Sequence, residues 1–326
     1  MRSTFRHGIA SALVLLTIAC GLPAPAAGQS YPNKPIRMIV AFPPGGLADV
    51  VARIIFQPVT QQLGHNIIID HRPGALGAIA GDMVARAAPD GYTLLFATSS
   101  AMSAVPTLTR KPPYDPVRDF TPVTDVGRVT FFMFVHPSLP VRTLPELIGH
   151  LRANPGKLNY GTTSATPMIA TAQLLSLYKL DALRIPYKGD ALTATDLVGG
   201  RIQFAFMSAV PGYAQAREGK LRVLATLMPE RSALAPDLPT LEEAGVKGVS
   251  TTSWAGLFGP ARLPAPVVER LSAEFRTVLS RADIVDTLGR QGFLARASTP
   301  AALGAYVKEQ LETWNRIVRE AGIAIE

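Results

Sequence analysis

The sequence predicts an α/β protein built as two lobes, with two extended segments crossing between them. Short apolar runs rich in β-branched residues alternate with amphipathic helical patterns along most of the 326-residue chain. Such alternation is what helical crossovers between mostly parallel strands produce. At two places, residues 119–137 (DFTPVTDVGRVTFFMFVHP) and 249–264 (VSTTSWAGLFGPARLP), an extended pattern runs long with no helix. Two crossings put both chain ends in one lobe, so residues 29–128 and 252–326 are expected to form the first lobe and 129–251 the second. A crevice between lobes, beyond the carboxyl ends of strands, is a preferred place for a small molecule.

The first element in chain order is an address. Arg2 and Arg6 precede the apolar run IASALVLLTIA, and the small-residue stretch APAAGQS follows. This is the order of a secretory signal peptide, expected over residues 1–28 with cleavage after Ala26 or Gly28. The single cysteine, Cys20, follows TIA; without leucine three residues before it, a lipid anchor there is not expected. Removal of the signal leaves no cysteine for a disulfide, a thiol nucleophile or a thiolate ligand. The remaining chain, about 300 residues, suffices for two lobes of ordinary size. No second apolar stretch is long enough to span a bilayer, so the mature protein is expected to be exported to the periplasm.

The strand candidates are IRMIVAF, NIIIDHR, YTLLFAT, TFFMFVH, KLNYGTT, ALRIPY, QFAFMS and LRVLAT. Helical patterns at 48–63, 77–88, 144–153, 167–178 and 191–199 lie between most of them. The C-terminal part reads as two long amphipathic helices, PAPVVERLSAEFRTVLSRADIVDTLGRQG and TPAALGAYVKEQLETWNRIVREAG, with proline near their starts and glycine near their ends. The turn PPGGLAD, residues 43–49, joins the first strand to the first helix. Such a turn aims backbone N–H groups and the positive end of a helix at one point, which suits an anion; a plain strand-to-helix connection uses glycine in the same way.

Catalytic motifs are not found. GALGAIAG has the wrong glycine spacing for a dinucleotide fingerprint, and there is no phosphate-binding loop, HExxH or GxSxG elbow. His65, His71, His136 and His150 show no metal-ligand spacing and read as surface or satisfied histidines. The net charge is +8, to which Arg2 and Arg6 contribute, and the basic residues are scattered. That pattern is a general attraction for anions rather than a nucleic-acid surface.

Several stretches occur in a telling order: YPNKPIRMIVAFPPGGLADVVAR, HRPGALGAIAGDMVARAAPDGYTLL, PYDPVRDFTPV, PGKLNYGTT, PYKGDALTATDLVGGRIQFAF and EGKLRVLA. With them the sequence resembles the periplasmic solute receptors of tripartite tricarboxylate transporters, the Bug or TctC-like family. The resemblance covers essentially the whole mature chain. It implies a periplasmic-binding-protein (flytrap) fold that holds a small solute, often a carboxylate, and delivers it to membrane permease subunits. With no catalytic or metal-binding motif in the residues, no cofactor, metal or catalytic residue is expected, and the receptor is expected to be a monomer.

Binding positions follow from the same resemblance. Phe42 and the backbone of Gly45, Gly46 and Leu47 are expected to meet a ligand carboxylate, with Asp49 bracing the loop or serving only as a first-turn acid. Gly77 and Ala78 take contacting positions in the second loop, where the family commonly has glycine at Leu76 and asparagine at Ala78. Ser99 and Ser100 end a strand and line the pocket or form a solvated turn. In the other lobe Thr162, Thr163, Ser164 and Thr166 contact the solute or cap a helix. Tyr187 and Lys188 of PYKG close over the ligand, or Lys188 is a solvated charge. Met207 and Ser208 stand where many relatives have Asp and Asn, and a histidine common near Ala170 is missing. Trp254 is pocket wall or core. Leu76, Ala78, Ala170 and Met207 all make the site less polar, and a buried polar ligand group left unmatched costs about 1–3 kcal/mol. The expected solute is therefore an aromatic or otherwise hydrophobic monocarboxylate. Two rivals remain at this point: a ligand sensor serving a signalling receptor, and an exported hydrolase using Asp49 and Ser99.

Overall fold

The computed structural model describes residues 31–249, 251–320, 322, 323 and 325; the expected signal peptide and Cys20 lie outside them. The elements are β1 (Ile36–Val40), α1 (Leu47–Leu63), β2 (Ile67–His71), a 3-10 turn (Ala75–Gly77), α2 (Ala78–Ala85) and β3 (Thr93–Thr98). A π-helical turn (Ser100–Ala104) runs into α3 (Val105–Leu108), followed by β4 (Phe120–Val129) and β5 (Phe131–Val135). Next come α4 (Leu144–Ala153), β6 (Asn159–Thr162), α5 (Ala165–Tyr178), β7 (Leu183–Pro186), α6 (Asp190–Val198), β8 (Phe204–Ser208), α7 (Ala209–Arg217) and β9 (Arg222–Thr226). The chain then passes through β10 (Ser253–Pro260), α8 (Ala265–Leu279), α9 (Ala282–Gly289), β11 (Phe293–Ala295) and α10 (Pro300–Glu320).

The strands make two sheets, one in the order β11-β4-β10-β3-β1-β2 and one in the order β7-β6-β8-β5-β9. The chain leaves the first sheet between Val129 and Phe131 and returns to it at Ser253. Both sheets are mixed, which corrects the expectation of mostly parallel strands. Strands reached through helices pair parallel: β1 with β2 and β3, and β6 with β7 and β8. Pairings that involve β4, β5, β10 and β11 are antiparallel. The cause is the direction of entry. β5 and β10 each come directly from the other sheet, with no helical crossover to reverse the chain, so they run against the helix-linked strands.

Helix α1 shows how sequence sets the site. Asp49 stands in its first turn, and Gly64 at its end has φ 70°, with its N–H on the carbonyl of Thr60. Its buried face is Leu47, Val51, Ala52, Ile55, Phe56, Val59 and Leu63, which presses the helix onto the sheet and fixes where its first turn points. The expected helix over 264–292 is two helices: the chain turns extended at Arg281 (φ −72°, ψ 131°), and Asp283 sits in the first turn of α9. Each sheet carries its own apolar core. Ile39, Leu95, Ala97, Trp254 and Phe258 belong to one. Met133, Val135, Phe204 and Phe206 cover one face of the second sheet, and Phe132, Phe134, Ala205 and Met207 the other.

Candidate functional site

The N-terminus of α1 is the chemical centre of the site. A helix leaves its first four N–H groups without intrahelical partners. Here they belong to Gly46 at the cap and to Leu47, Ala48 and Asp49. Gly46 has no side chain to cap them, and the first helical bond runs from the N–H of Val50 to the carbonyl of Gly46. Gly46, Leu47 and Ala48 all line a cavity of about 410 Å³, a usual size for a small-molecule site. Gly45 does not line it: the N–H of Gly45 donates to Asp49 Oδ2 at 3.0 Å, and its φ of 82° suits glycine.

Asp49 braces this turn from behind. Arg53 Nε lies 3.0 Å and His71 Nε2 3.2 Å from Asp49 Oδ1, and His71 Nδ1 lies 2.8 Å from the carbonyl oxygen of Phe42. Burial pushes the Asp49 carboxyl up, but the Gly45 N–H, Arg53 and His71 outweigh it and hold it below the usual range. Phe42, Gly45, Asp49 and His71 thus form one connected support, in which His71 is a satisfied histidine rather than a surface one.

The cavity walls follow from strand alternation. Phe293, Val129 and Ser253 stand side by side across β11, β4 and β10, and all three line the cavity. Thr98 pairs with Ala255 and both line it. Between Ser253 and Ala255, Trp254 faces the other way, fully buried, 5.5 Å from the ring of Tyr306. In the second sheet Phe131 pairs with Ser208 on the cavity side, while the next pair, Phe132 and Met207, turns into the opposite core. Trp254 and Met207 are therefore core residues and not cavity wall.

The remaining expected positions divide in the same manner. Phe42, Ser100, Thr163, Ser164 and Lys188 line the cavity. Ser99 does not; its hydroxyl lies 3.2 Å from that of Thr166 and 3.4 Å from that of Ser253. The N–H of Ala165 donates to the Ser100 hydroxyl at 3.1 Å, so a residue beside the first sheet caps a helix of the second. Thr162 is buried at the end of β6, its carbonyl accepting the Tyr187 N–H at 2.8 Å. The Tyr187 hydroxyl donates to Asp196 at 2.8 Å, and burial together with Asp196 pushes it up to about 12. Gly77 (φ 96°) packs against Ala101 and Ala41, where a Cβ would come within 3.0 and 3.2 Å, and Ala78 packs on the same core. Ala75 and Leu76 hold positive φ, 46° and 55°, a conformation that costs a non-glycine residue about 1–2 kcal/mol.

Sequence reasoning misses Phe96, Val129, Phe131, Phe293, Asp190 and Leu192 on the walls. Only Lys188 and Asp190 carry charge among the described lining residues. Asp49 and Ser99 each have partners of their own, which removes the expected support for a hydrolytic pair. No group of three or more metal-ligating side chains stands together among the described residues, nor is any helix among them long and apolar enough to cross a membrane.

Comparison with known proteins gives the family. Residues 51–323 match the sequence model of the Tripartite tricarboxylate transporter family receptor. The chain belongs to this family. A curated relative, protein BugT of Bordetella pertussis, is 31% identical over 309 residues, covering 94% of this chain and 95% of its own. An R. palustris protein solved with adipate superposes with a TM-score of 0.86 at 30% identity, covering 90% of this chain and 99% of that one. MatC from Rhodopseudomonas palustris, solved with bound malate, gives 0.82 at 30% identity over 88% and 100%. The chain is thus a solute-binding protein of the TctC/Bug receptor family with the two-lobed α/β fold of periplasmic binding proteins, a family and fold of receptors rather than enzymes.

Proposed function

We propose that this receptor captures a small carboxylate with an apolar body, aromatic or aliphatic, and delivers it from the periplasm to the permease subunits of a tripartite tricarboxylate transporter. One observation carries the reading: the N–H groups at the start of α1 open onto a cavity whose wall is mostly apolar. Phe42, Phe96, Phe131, Phe293, Val129 and Val51 line it beside the hydroxyl residues Thr98, Ser100, Thr163, Ser164, Ser208 and Ser253. The acid end rests on the backbone of Gly46, Leu47 and Ala48, as anions rest on helix N-termini, and the apolar body fills the remainder. The relatives solved with adipate and malate support a carboxylate. Residues 29–128 and 252–326 act as one lobe and 129–251 as the other, hinged at the crossings near Thr130 and Ser253, and the protein works as a monomer.

A thermal-shift screen over aliphatic and aromatic carboxylates, followed by calorimetric titration, tests the ligand class, because a ligand raises apparent stability by mass action. A rise with apolar carboxylates and none with the matching amides or alcohols is the expected result. Equal rises with neutral analogues would overturn the reading. Uptake into vesicles carrying the permease, dependent on added receptor, tests the partner.

A further inference from the structure

We propose that Asp190 makes the cavity selective for ligands with a single carboxylate by occupying, from within the chain, the place a second carboxylate would take. The proposal rests on the carboxylate reading above. Asp190 lines the cavity and begins α6, while Ser208 lines it and caps α7. Two helix N-termini therefore converge on one piece of wall, and such ends favour negative charge. The chain supplies that charge itself. The N–H of Ser208 donates to Asp190 Oδ2 at 3.0 Å, and the Ser208 hydroxyl donates to the same oxygen.

These bonds hold the carboxylate in place but do not neutralise it. Asp190 Oδ1 is enclosed and meets no hydrogen-bond partner among the described residues. No lysine or arginine forms an ion pair with Asp190 among them either. Lys188 is the wall's one cation among the described residues, but it is exposed, so solvent screens it. The α1 turn follows β1 of the first sheet, whereas Asp190 follows β7 and Ser208 ends β8 of the second. A ligand anchored by one carboxylate at α1 and reaching across the cavity therefore brings its other end to this wall. An apolar or hydrogen-bond-donating end is accepted there. A second carboxylate meets a fixed like charge in a largely apolar enclosure, where repulsion is weakly screened.

The test uses ligand pairs of equal length that differ in one carboxylate: hexanoate against adipate, and 4-methylbenzoate against terephthalate. Both pairs are titrated by calorimetry into the full mature protein and into Asp190→Asn and Asp190→Ser, near neutral pH and at fixed salt. The amide of Asp190→Asn keeps an oxygen to accept from Ser208, and two variants guard against one failing to fold. The wild type is expected to prefer the monocarboxylate by about tenfold or more, and both variants to narrow that ratio by a similar factor, mainly through tighter binding of the dicarboxylate. Adipate or terephthalate binding the wild type as tightly as its partner, or a ratio unchanged in both variants, overturns the proposal. If no carboxylate of either kind binds any of the three proteins, the carboxylate reading itself falls.

Discussion

Replacing Gly46 by valine isolates the backbone donors at α1 from everything else that holds the fold. Gly46 has φ −89° and ψ 173°, a conformation open to any residue. A Cβ built there meets nothing nearer than the Pro43 carbonyl oxygen at 3.9 Å. The unliganded fold should therefore tolerate Gly46→Val, with an apparent melting temperature within about 3 °C of wild type. At the wall, however, the branched side chain keeps a carboxylate away from the N–H groups of Gly46 and Leu47. Hydrogen bonds to a charged group contribute about 1.5–3 kcal/mol each. Losing two costs about 3–6 kcal/mol, a drop in affinity of about 100-fold or more. Isothermal titration with a carboxylate that stabilises the wild type reads this directly. Arg53→Gln is the control: its side chain is 62% exposed and reaches the site only through Asp49, so it should change affinity by less than about 1 kcal/mol. A Gly46→Val protein that binds as wild type does, or a loss above about 2 kcal/mol from Arg53→Gln, would refute the backbone anchor.

Three further substitutions follow from the same geometry. Asp49→Asn should weaken ligand binding and lower stability by about 1–2 kcal/mol near neutral pH. Because the folded-state carboxyl is held below its ordinary value, that difference is full above about pH 4 and disappears as the pH falls through the depressed value; denaturant titrations of both proteins across acid pH check it. Asp125→Asn should cost about 3–5 kcal/mol in the same assay. It leaves the Arg128 guanidinium, 6% exposed and 4.4 Å from the Tyr306 ring, without the carboxylate that both of its 2.9 Å contacts reach. Ser100→Ala removes the cap from the Ala165 N–H and should cost about 1–3 kcal/mol, seen as a lower denaturation midpoint.

Most strands and most helices are legible because proline and glycine punctuate this chain closely; the three-residue β11 (Phe293–Ala295) is not, being too short to show an alternation. IRMIVAF, NIIIDHR and LRVLAT each form a strand at the place expected. Helix α7 escapes a reading of the sequence because AVPGYAQAR carries Pro and Gly, residues that ordinarily break helices. The turn at 43–49 can be read as an anion site from its residues alone, whereas its brace cannot. His71 comes from a neighbouring strand, and its contact with Asp49 exists only once β1 and β2 pair. The apolar walls are hidden for a related reason. Alternation divides Phe131 from Phe132 and Ser253 from Trp254, yet nothing local says which face meets the other sheet. Asp190 reads in isolation as an ordinary first-turn acid. Its meaning comes from Ser208, 18 residues away.

A crystal structure of the mature protein with a carboxylate found by the stability screen tests the central claim most directly. The ligand carboxylate is expected at the start of α1, its oxygens within about 3 Å of the N–H groups of Gly46, Leu47 or Ala48, and its apolar body against Phe96, Phe131 and Phe293. A carboxylate seated on Lys188, or a ligand bound with its apolar end at Gly46, would contradict the account.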